Sequence, residues 1–301
     1  MQYKILGNST LELSEIGLGA MSLSVGDKNT NRYIIDAVKA VGINYIDTAD
    51  LYDHGENESV LGDLLQGERQ DWILASKVGN RWRKDGSGWD WAASKNHILK
   101  AIDESLRRLK TDYIDLYQLH GGTLEDPYDE IVETFERLVE EGKIRYYGLS
   151  SIRPNIFLRY AAETQIVSNM MQYSLFDRRP EEYLDQLDSH QVGVIARGPI
   201  AQGLLLGKPA NEYLGYSSEL VEQIQNKLQE TADDLGVSTL SLALKYPVLQ
   251  ESVRCSVIGI RTKKQADDIA SVISDWDTID LTAYREILRE LPAVRYDLHR
   301  E

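Results

Sequence analysis

Four side chains with acid–base chemistry lie where predicted strands of this chain end. Asp47 and Tyr52 end the segment NYIDTADLY, Lys77 ends WILASK, and His120 ends YIDLYQLH. One such residue is often a solvated or structural side chain. Four of them on three consecutive strands favour a shared site, because a polar group just beyond an apolar strand needs a polar partner.

The chemistry of these four groups is that of proton transfer to a carbonyl oxygen. A tyrosine is a weak acid, with an unperturbed pKa near 10, and a neighbouring ammonium stabilises its phenolate. A buried Lys77 needs a counter-charge to keep its proton, and Asp47 would supply one. His120 would hold a substrate oxygen by a hydrogen bond. The set would then protonate a carbonyl oxygen while another agent delivers hydride to the carbon.

The elements that must position these groups read as alternating strands and helices. Strand candidates occupy residues 15–19, 44–48, 72–77, 113–119, 144–150, 167–172, 193–197 and 255–260. The segments between them space their apolar residues by three and four, which is typical of helices. Eight such units close a (β/α)₈ barrel. We therefore predict an α/β fold of the TIM-barrel type, preceded by a β-hairpin in residues 9–19.

An open, doubly wound sheet is the competing architecture. It would require a glycine-rich dinucleotide turn after its first strand, and the segment GLGAMSLSVG lacks the GxGxxG spacing. No linker rich in proline or glycine divides the chain, so we predict a single barrel domain over residues 1–301.

The net charge and the composition of the chain limit the kinds of partner that we expect it to bind. The formal net charge is −15, from 33 basic and 48 acidic residues, which argues against nucleic acid or an anionic membrane as the main partner. No apolar run approaches the roughly 20 residues of a spanning helix, and no signal core opens the chain. We expect the single cysteine, Cys255, to be a small buried side chain that fills space in the protein interior. We expect a cytoplasmic protein.

Two long segments after predicted strands are candidates for binding loops, because barrel function lies on such loops. Residues 78–94 follow the third strand and carry Trp82, Trp89 and Trp91, and residues 198–218 follow the seventh. The tryptophans would either pack down a surface flap or form an aromatic wall that contacts a substrate.

The motifs around the four residues resemble those of the aldo-keto reductase superfamily. The Asp followed five residues later by Tyr occurs in IDTADLYDHGENESVLG, the Lys in ILASKV and the His in DYIDLYQLH, in the order of the family. The resemblance covers essentially the whole chain. It implies a (β/α)₈ barrel in which Tyr52 is the general acid/base, Lys77 and Asp47 adjust its acidity, and His120 orients the carbonyl.

The resemblance also implies a nicotinamide cofactor, bound across the strand ends without a glycine-rich turn. Ser150 and Ser151 stand where the family has a Ser-Asn pair, so Ser151 is a departure, and Gln172 matches the strand-six glutamine. Arg197 replaces an aromatic residue that stacks on the nicotinamide, and a guanidinium also stacks on rings. Its charge would disfavour the oxidised cofactor, which favours the reducing direction.

The last predicted strand leads into residues that imply NADPH rather than NADH. Gly259 allows close backbone approach, the helix that follows favours phosphate, and Arg261 with Thr262 would hold a ribose 2′-phosphate. An ordinary exposed helix start is the alternative interpretation. Further cofactor contacts implied by the resemblance are Met21, Asp47, Gly198, Ile200, Gln202, Lys208, Gln265 and Asp268.

We therefore predict an NADPH-dependent reductase of a small aldehyde or ketone. Two other functions stay open. Lys77 could form a Schiff base, as in an aldolase-like lyase, if it were free of Asp47. The chain could also be a regulatory protein that binds the nucleotide as a redox signal. No second ligand at metal spacing accompanies the other histidines, so we expect no metal site.

Overall fold

The structure is a computed structural model that describes residues 1–300. The strands are β1 (Tyr3–Ile5), β2 (Glu12–Ser14), β3 (Ile16–Gly19), β4 (Tyr45–Asp47), β5 (Ile73–Val78), β6 (Asn80–Trp82), β7 (Trp89–Trp91), β8 (Ile114–His120), β9 (Ile144–Ser150), β10 (Ser168–Gln172), β11 (Gly193–Arg197) and β12 (Val253–Ile258). The α-helices are α1 (Lys28–Ala40), α2 (Glu56–Leu64), α3 (Lys95–Leu109), α4 (Tyr128–Glu140), α5 (Pro154–Glu163), α6 (Leu184–Ser189), α7 (Ser218–Leu235), α8 (Thr239–Val248), α9 (Lys263–Asp275) and α10 (Arg285–Glu290).

Eight parallel strands form a closed barrel. Its order is β3-β4-β5-β8-β9-β10-β11-β12, and β12 pairs with β3 to close the ring. The predicted (β/α)₈ TIM barrel is therefore confirmed, and the predicted strands agree with the observed ones to within two residues. Their long apolar runs, with both faces covered, are typical of parallel strands.

The N-terminal β-hairpin is also confirmed, but its first strand lies earlier than predicted. β1 pairs antiparallel with β2, with Tyr3 opposite Ser14, and residues 16–19 belong to the barrel itself. Gly7 in the turn has a φ of +50°, and a Cβ there would lie 2.2 Å from the Val167 carbonyl oxygen. The turn therefore packs directly against the barrel.

The hairpin closes one end of the barrel. Leu6, Leu11 and Leu13 pack into its interior. They contact side chains of the barrel wall, namely Tyr45, Ala75, Leu116, Val167, Met170, Ile195, Cys255 and Val257. Cys255 is fully buried there, as the sequence predicts. Because this end is filled, a cavity can open only at the other end, where the carboxyl ends of the strands lie.

Four of the helices outside the barrel begin at a serine or threonine whose side chain caps them. Ser94, Ser217, Ser238 and Thr262 each accept a hydrogen bond from a backbone N–H in the first turn of α3, α7, α8 and α9. Each helix buries one apolar face against the strands. Within residues 1–300, no helix combines the length and apolar character needed to cross a membrane.

A buried carboxylate ties α2 to its neighbours. Glu58 is fully buried and accepts hydrogen bonds from the hydroxyls of Ser76 (2.5 Å) and Ser105 (3.1 Å) and from Nε of Arg108 (2.7 Å). The sequence indicates only an acidic residue near the start of a helix. Its partners lie on β5 and α3, so local sequence does not reveal them.

Close packing between α2 and α3 depends on Gly62. A Cβ there would lie 2.3 Å from the Arg108 carbonyl oxygen, which is backbone and cannot rotate aside. Overpacking costs about 1–3 kcal/mol, against a gain in helix propensity of about 1 kcal/mol. We therefore expect Gly62→Ala to lower the free energy of unfolding by up to about 2 kcal/mol, measured in urea.

Gly26→Ala is the matched control, because a Cβ at Gly26 meets nothing within 4 Å. If Gly62→Ala were as stable as Gly26→Ala, the close approach of α2 to α3 would be wrong.

Candidate active site

A cavity of about 630 Å³ opens at the carboxyl ends of the barrel strands. The predicted site residues that line it are Met21, Asp47, Tyr52, Lys77, Trp89, Trp91, His120, Ser150, Ser151, Arg197, Gly198 and Gly259. The four residues proposed for catalysis therefore share one space.

Lys77 is the centre of this group. Its side chain is 1 % exposed, and Nζ donates to Asp47 Oδ2 at 2.5 Å and to the Thr48 carbonyl oxygen at 2.8 Å. The third donor lies 3.3 Å from the Tyr52 hydroxyl oxygen. All three protons of the ammonium thus have acceptors, and one of them is the phenol.

Pairing with Asp47 keeps the buried side chain of Lys77 charged. Burial alone would lower the pKa of Lys77, but the Asp47 carboxylate and Tyr52 outweigh that effect and raise it. Gln118 Nε2 donates to the second carboxylate oxygen of Asp47 at 3.2 Å. Gln118 was not predicted as a site residue, although it stands two residues before His120 on the same face of β8.

His120 faces Tyr52 edge-on, with 6.2 Å between the ring centroids. Burial, assisted by the charges of Lys77 and Arg197, lowers the pKa of His120 to about 3. The imidazole is therefore neutral at neutral pH. Its Nδ1 is buried and has no hydrogen-bond partner within residues 1–300.

The backbone after Tyr52 makes a sharp turn into α2. Asp53 and His54 have φ values of 47° and 55°, and Gly55 has 88°, so three successive residues are left-handed. Trp82 braces this turn, because its indole Nε1 donates to the Leu51 carbonyl oxygen at 2.8 Å and its ring stacks on His54.

Trp82 therefore does not line the cavity, and its predicted contact with substrate is not supported by its position. Residues 80–82 and 89–91 pair as an antiparallel ribbon within the predicted loop. This ribbon turns Trp82 toward the Tyr52 turn and leaves Trp89 and Trp91 at the cavity.

Trp89 and Trp91 form a wall of the cavity. Their rings meet edge to face at 4.9 Å and are 39 % and 41 % exposed. Trp91 packs on Gly121, where a Cβ would lie 2.1 Å from its ring. Of the two interpretations that the sequence leaves open, the position of these two indoles favours the aromatic wall.

Residues at the ends of β9 to β11 form another part of the site. Arg197 Nη1 donates to Gln172 Oε1 at 3.4 Å, and Gln172 Nε2 donates to the Tyr213 hydroxyl at 3.0 Å. The backbone N–H of Ser151 donates to Asn169 Oδ1 at 3.2 Å. Asn169 and Tyr213 come from distant segments and were not predicted.

The remaining predicted cofactor contacts lie outside the cavity lining. Thr262 caps α9 by accepting from the Gln265 backbone N–H (3.2 Å), and Gln265 Oε1 accepts from the Arg261 backbone N–H (2.8 Å). Asp268 lies 3.7 Å from Lys264. Because these polar groups serve the helix start, the exposed Arg261 side chain is the one left to meet a ligand.

The loop after β11 forms a tight turn rather than an extended segment. Gln202 and Gly203 have left-handed φ values of 59° and 95°. Lys208 Nζ donates to the Gln202 carbonyl oxygen at 3.4 Å, and Ile200 packs partly against the core. Of the four predicted contacts in this loop, Gly198 lines the cavity, whereas Ile200, Gln202 and Lys208 are not among the lining residues.

Four basic residues at or after the ends of β11 and β12 differ from many others in their ion pairing. Within residues 1–300, no carboxylate lies at ion-pair distance from Arg197, Lys208, Arg261 or Lys263, whereas many other basic residues are paired. Since β11 and β12 are neighbours, the strand ends that precede these residues are adjacent, and Arg197 is the member of the four that lines the cavity. In a chain of charge −15, basic residues without a carboxylate partner are candidates for binding an anion.

Metal binding has no comparable support. Within residues 1–300, no three His, Cys, Asp or Glu side chains are arranged as metal ligands. His54 is stacked on Trp82, and His190 is exposed at the end of α6.

The C-terminal tail completes the rim of the cavity. His299 lines it, and the His299 carbonyl oxygen accepts from the Asn155 backbone N–H at 2.9 Å. Arg300 forms an ion pair with Glu182. Arg153, at the start of α5, also lines the cavity. Neither Arg153 nor His299 was predicted as a site residue.

Comparison with known proteins agrees with this geometry. Residues 15–286 match the model of the Aldo/keto reductase family. The uncharacterized oxidoreductase YqkF of Bacillus subtilis (strain 168) is 51 % identical over 268 residues, covering 86 % of this chain and 87 % of YqkF. The uncharacterized oxidoreductase YrpG of the same strain is 32 % identical over 315 residues, covering 97 % and 95 %.

A solved structure extends the similarity to three dimensions. The holo form of aldo-keto reductase AKR11C1 from Bacillus halodurans superimposes with a TM-score of 0.93, at 44 % identity and with 100 % of both chains covered. The family and the fold support an oxidoreductase that acts on carbonyl compounds. This chain belongs to the aldo/keto reductase family.

Proposed function

We propose that this protein is an NADPH-dependent reductase that converts an aldehyde or ketone to the alcohol. The observation that carries the proposal is the contact of Lys77 Nζ with both Asp47 and the Tyr52 hydroxyl, inside a cavity that opens to solvent. A charged, buried ammonium aimed at a phenol prepares that phenol to release a proton.

The nicotinamide, when bound, supplies hydride to the carbonyl carbon. Tyr52 donates its phenolic proton to the carbonyl oxygen, and the Lys77 ammonium, 3.3 Å away, stabilises the phenolate that is left. Asp47 keeps Lys77 charged and, through Gln118 and Thr48, is fixed in place with it.

His120 orients the substrate without adding charge. Because its imidazole is neutral, it can donate one N–H to the carbonyl oxygen while Tyr52 remains the proton source. Arg197 places a positive charge among the lining residues, and this favours the neutral, reduced cofactor over the positively charged oxidised one. The direction of reaction that we propose is therefore reduction.

The alternative lyase requires a free amine at Lys77. The side chain is 1 % exposed, forms an ion pair with Asp47 at 2.5 Å, and has a raised pKa. Each of these properties disfavours attack on a carbonyl carbon. A regulatory nucleotide-binding protein has no need of the Tyr52–Lys77 contact, so the same observation favours the reductase.

Tyr52→Phe tests the proton donor. We expect kcat with a panel of aldehydes to fall about 10²- to 10⁴-fold, the usual contribution of a general acid. The Kd for NADPH, followed by the fluorescence of Trp89 and Trp91 at the cavity, should change little, because the ring remains.

Tyr113→Phe is the control, since Tyr113 lies before β8 at the hairpin end and stacks under Arg69 and Arg145. Wild-type-like turnover in Tyr52→Phe would exclude the proposed acid. Trapping of a substrate on Lys77 by borohydride would instead favour the lyase.

Arg261→Gln tests the preference for NADPH. Hydrogen bonds to a charged group contribute about 1.5–3 kcal/mol, so we expect the Kd for NADPH to rise about 10- to 150-fold. The Kd for NADH, which lacks the 2′-phosphate, should change little. Arg107→Gln, on the exposed face of α3, is the control. If the Kd values for NADPH and NADH rose by the same factor, Arg261 would not be the residue that binds the 2′-phosphate.

His120→Asn tests the neutral imidazole through stability. The unfolded chain takes up a proton at His120 near pH 6.5, but the folded chain does so only near pH 3. Stability is therefore lost as pH falls below 6.5, by about 2 kcal/mol between pH 7 and pH 5. The asparagine variant should lose correspondingly less over this range in urea unfolding.

His190→Asn, which removes an exposed histidine, corrects for the loss of a histidine in general. If His120→Asn and wild type lost the same free energy between pH 7 and pH 5, the imidazole would not be buried in its neutral form.

A further inference from the structure

We propose that Arg153 forms an anion-binding subsite for the substrate, so that the preferred substrates are carbonyl compounds that carry a carboxylate. The inference rests on the proposed reductase function and specifies its substrate class.

Arg153 is held in position against the aromatic wall. Its guanidinium lies 4.8 Å from the centroid of the Trp91 ring and donates a hydrogen bond through Nη1 to the Gly122 carbonyl oxygen. Its backbone N–H donates to the Ser151 hydroxyl at 3.3 Å. A guanidinium has five N–H donors, so most of its donors remain for a ligand.

Arg153 lies on the substrate side of the cavity. Trp91 packs on Gly121, directly after His120, and Arg153 bonds to the next residue. These contacts join the loops after β8 and β9. The four basic residues that are candidates for binding an anion of the cofactor lie at or after the ends of β11 and β12, so Arg153 is not one of that group.

The charge of Arg153 is unpaired among the residues that the structure describes. Within residues 1–300, no carboxylate lies at ion-pair distance from its guanidinium, and Asp47, the carboxylate that lines the cavity, is paired with Lys77 at 2.5 Å. In a half-buried position beside an indole, such a charge attracts an anion more strongly than it would in water.

Other basic residues near the mouth do not compete for this role. The sequence shows Arg81, Arg83 and Lys84 on the loop that carries the tryptophans. Arg83 pairs with Asp90 at 2.6 Å, and Arg81 lines a separate cavity behind the Tyr52 turn. Arg153 therefore differs from Arg81 and Arg83, because it lines the cavity that holds Tyr52 and His120 and has no carboxylate partner within residues 1–300.

The tail adds to the same subsite. The His299 carbonyl oxygen caps the amino end of α5 through Asn155, so that helix end is already occupied. We therefore expect side chains to bind the anion, and His299 lines the same cavity as Arg153. A carboxylate can pair with Arg153 in two parallel hydrogen bonds while its carbonyl reaches Tyr52.

A matched pair of aldehydes tests the subsite. 4-Carboxybenzaldehyde, which is ionised at neutral pH, and methyl 4-formylbenzoate share the benzaldehyde framework and differ in charge. The ester withdraws electrons more strongly and makes its aldehyde intrinsically more reactive, so a preference for the acid must come from the protein. We expect wild-type kcat/KM to favour the acid by at least about tenfold, the lower end of what a hydrogen bond to a charged group contributes.

Arg153→Gln should lower this acid-to-ester ratio by about tenfold or more, and Arg153→Lys, which keeps the charge, should restore part of it. Arg81→Gln removes a cation from outside the cavity and should leave the ratio at its wild-type value. Thermal unfolding of each variant checks that the protein is folded.

An absence of acid preference in the wild type, or an equal loss on both aldehydes in Arg153→Gln, would overturn the subsite. The second result would mean that Arg153 only supports Trp91. If the wild type reduced neither aldehyde, the reductase function would fail.

The subsite would then be tested separately by the binding of 4-(hydroxymethyl)benzoate, measured by quenching of tryptophan fluorescence. Weaker quenching in Arg153→Gln than in the wild type would support the subsite, and equal quenching in the two proteins would overturn it.

Discussion

The buried ion pair of Lys77 and Asp47 is the interaction on which the site depends. Removing two charges from water costs several kcal/mol for each ion, and such pairs seldom add stability. Here the cost is offset by a 2.5 Å contact, by Gln118 on the second carboxylate oxygen and by the Thr48 carbonyl on the ammonium. What the protein gains is a fixed positive charge beside Tyr52, in a place where water cannot screen it.

A second buried cluster supports the turn that carries Tyr52. Glu58 is bonded to Arg108 and two serines from β5 and α3, which anchors the start of α2. Burial, together with the nearby Glu58 charge, raises the pKa of Asp50 to about 8, so this carboxyl is largely uncharged at neutral pH. Lys77 therefore has Asp47 as its counter-charge, with no competing carboxylate at Asp50.

Sequence periodicity predicted the barrel well because each parallel strand is a local apolar run. In a barrel the carboxyl ends of the strands lie at one end, so the four polar side chains at those strand ends had to lie close together. Contacts with distant neighbours could not be predicted from local sequence. The sequence left open whether Trp82 packs down a flap or contacts substrate, and pairing across the 80–82 and 89–91 ribbon turns it to Leu51. His299 reaches the start of α5 because the tail returns there and accepts a hydrogen bond from Asn155, and no local pattern encodes that return.

Closure of the barrel between β3 and β12 has a consequence for the order of folding. The first barrel strand finds one of its two partners only after nearly the whole chain has been made, since Ile16 pairs opposite Ser256. Contacts between such distant segments form late and slow the search for the native state. Until then, both unpaired edges expose backbone groups that can pair with other chains. The pairing of β3 with β12 is therefore the part of the barrel where misassembly during synthesis is most to be expected.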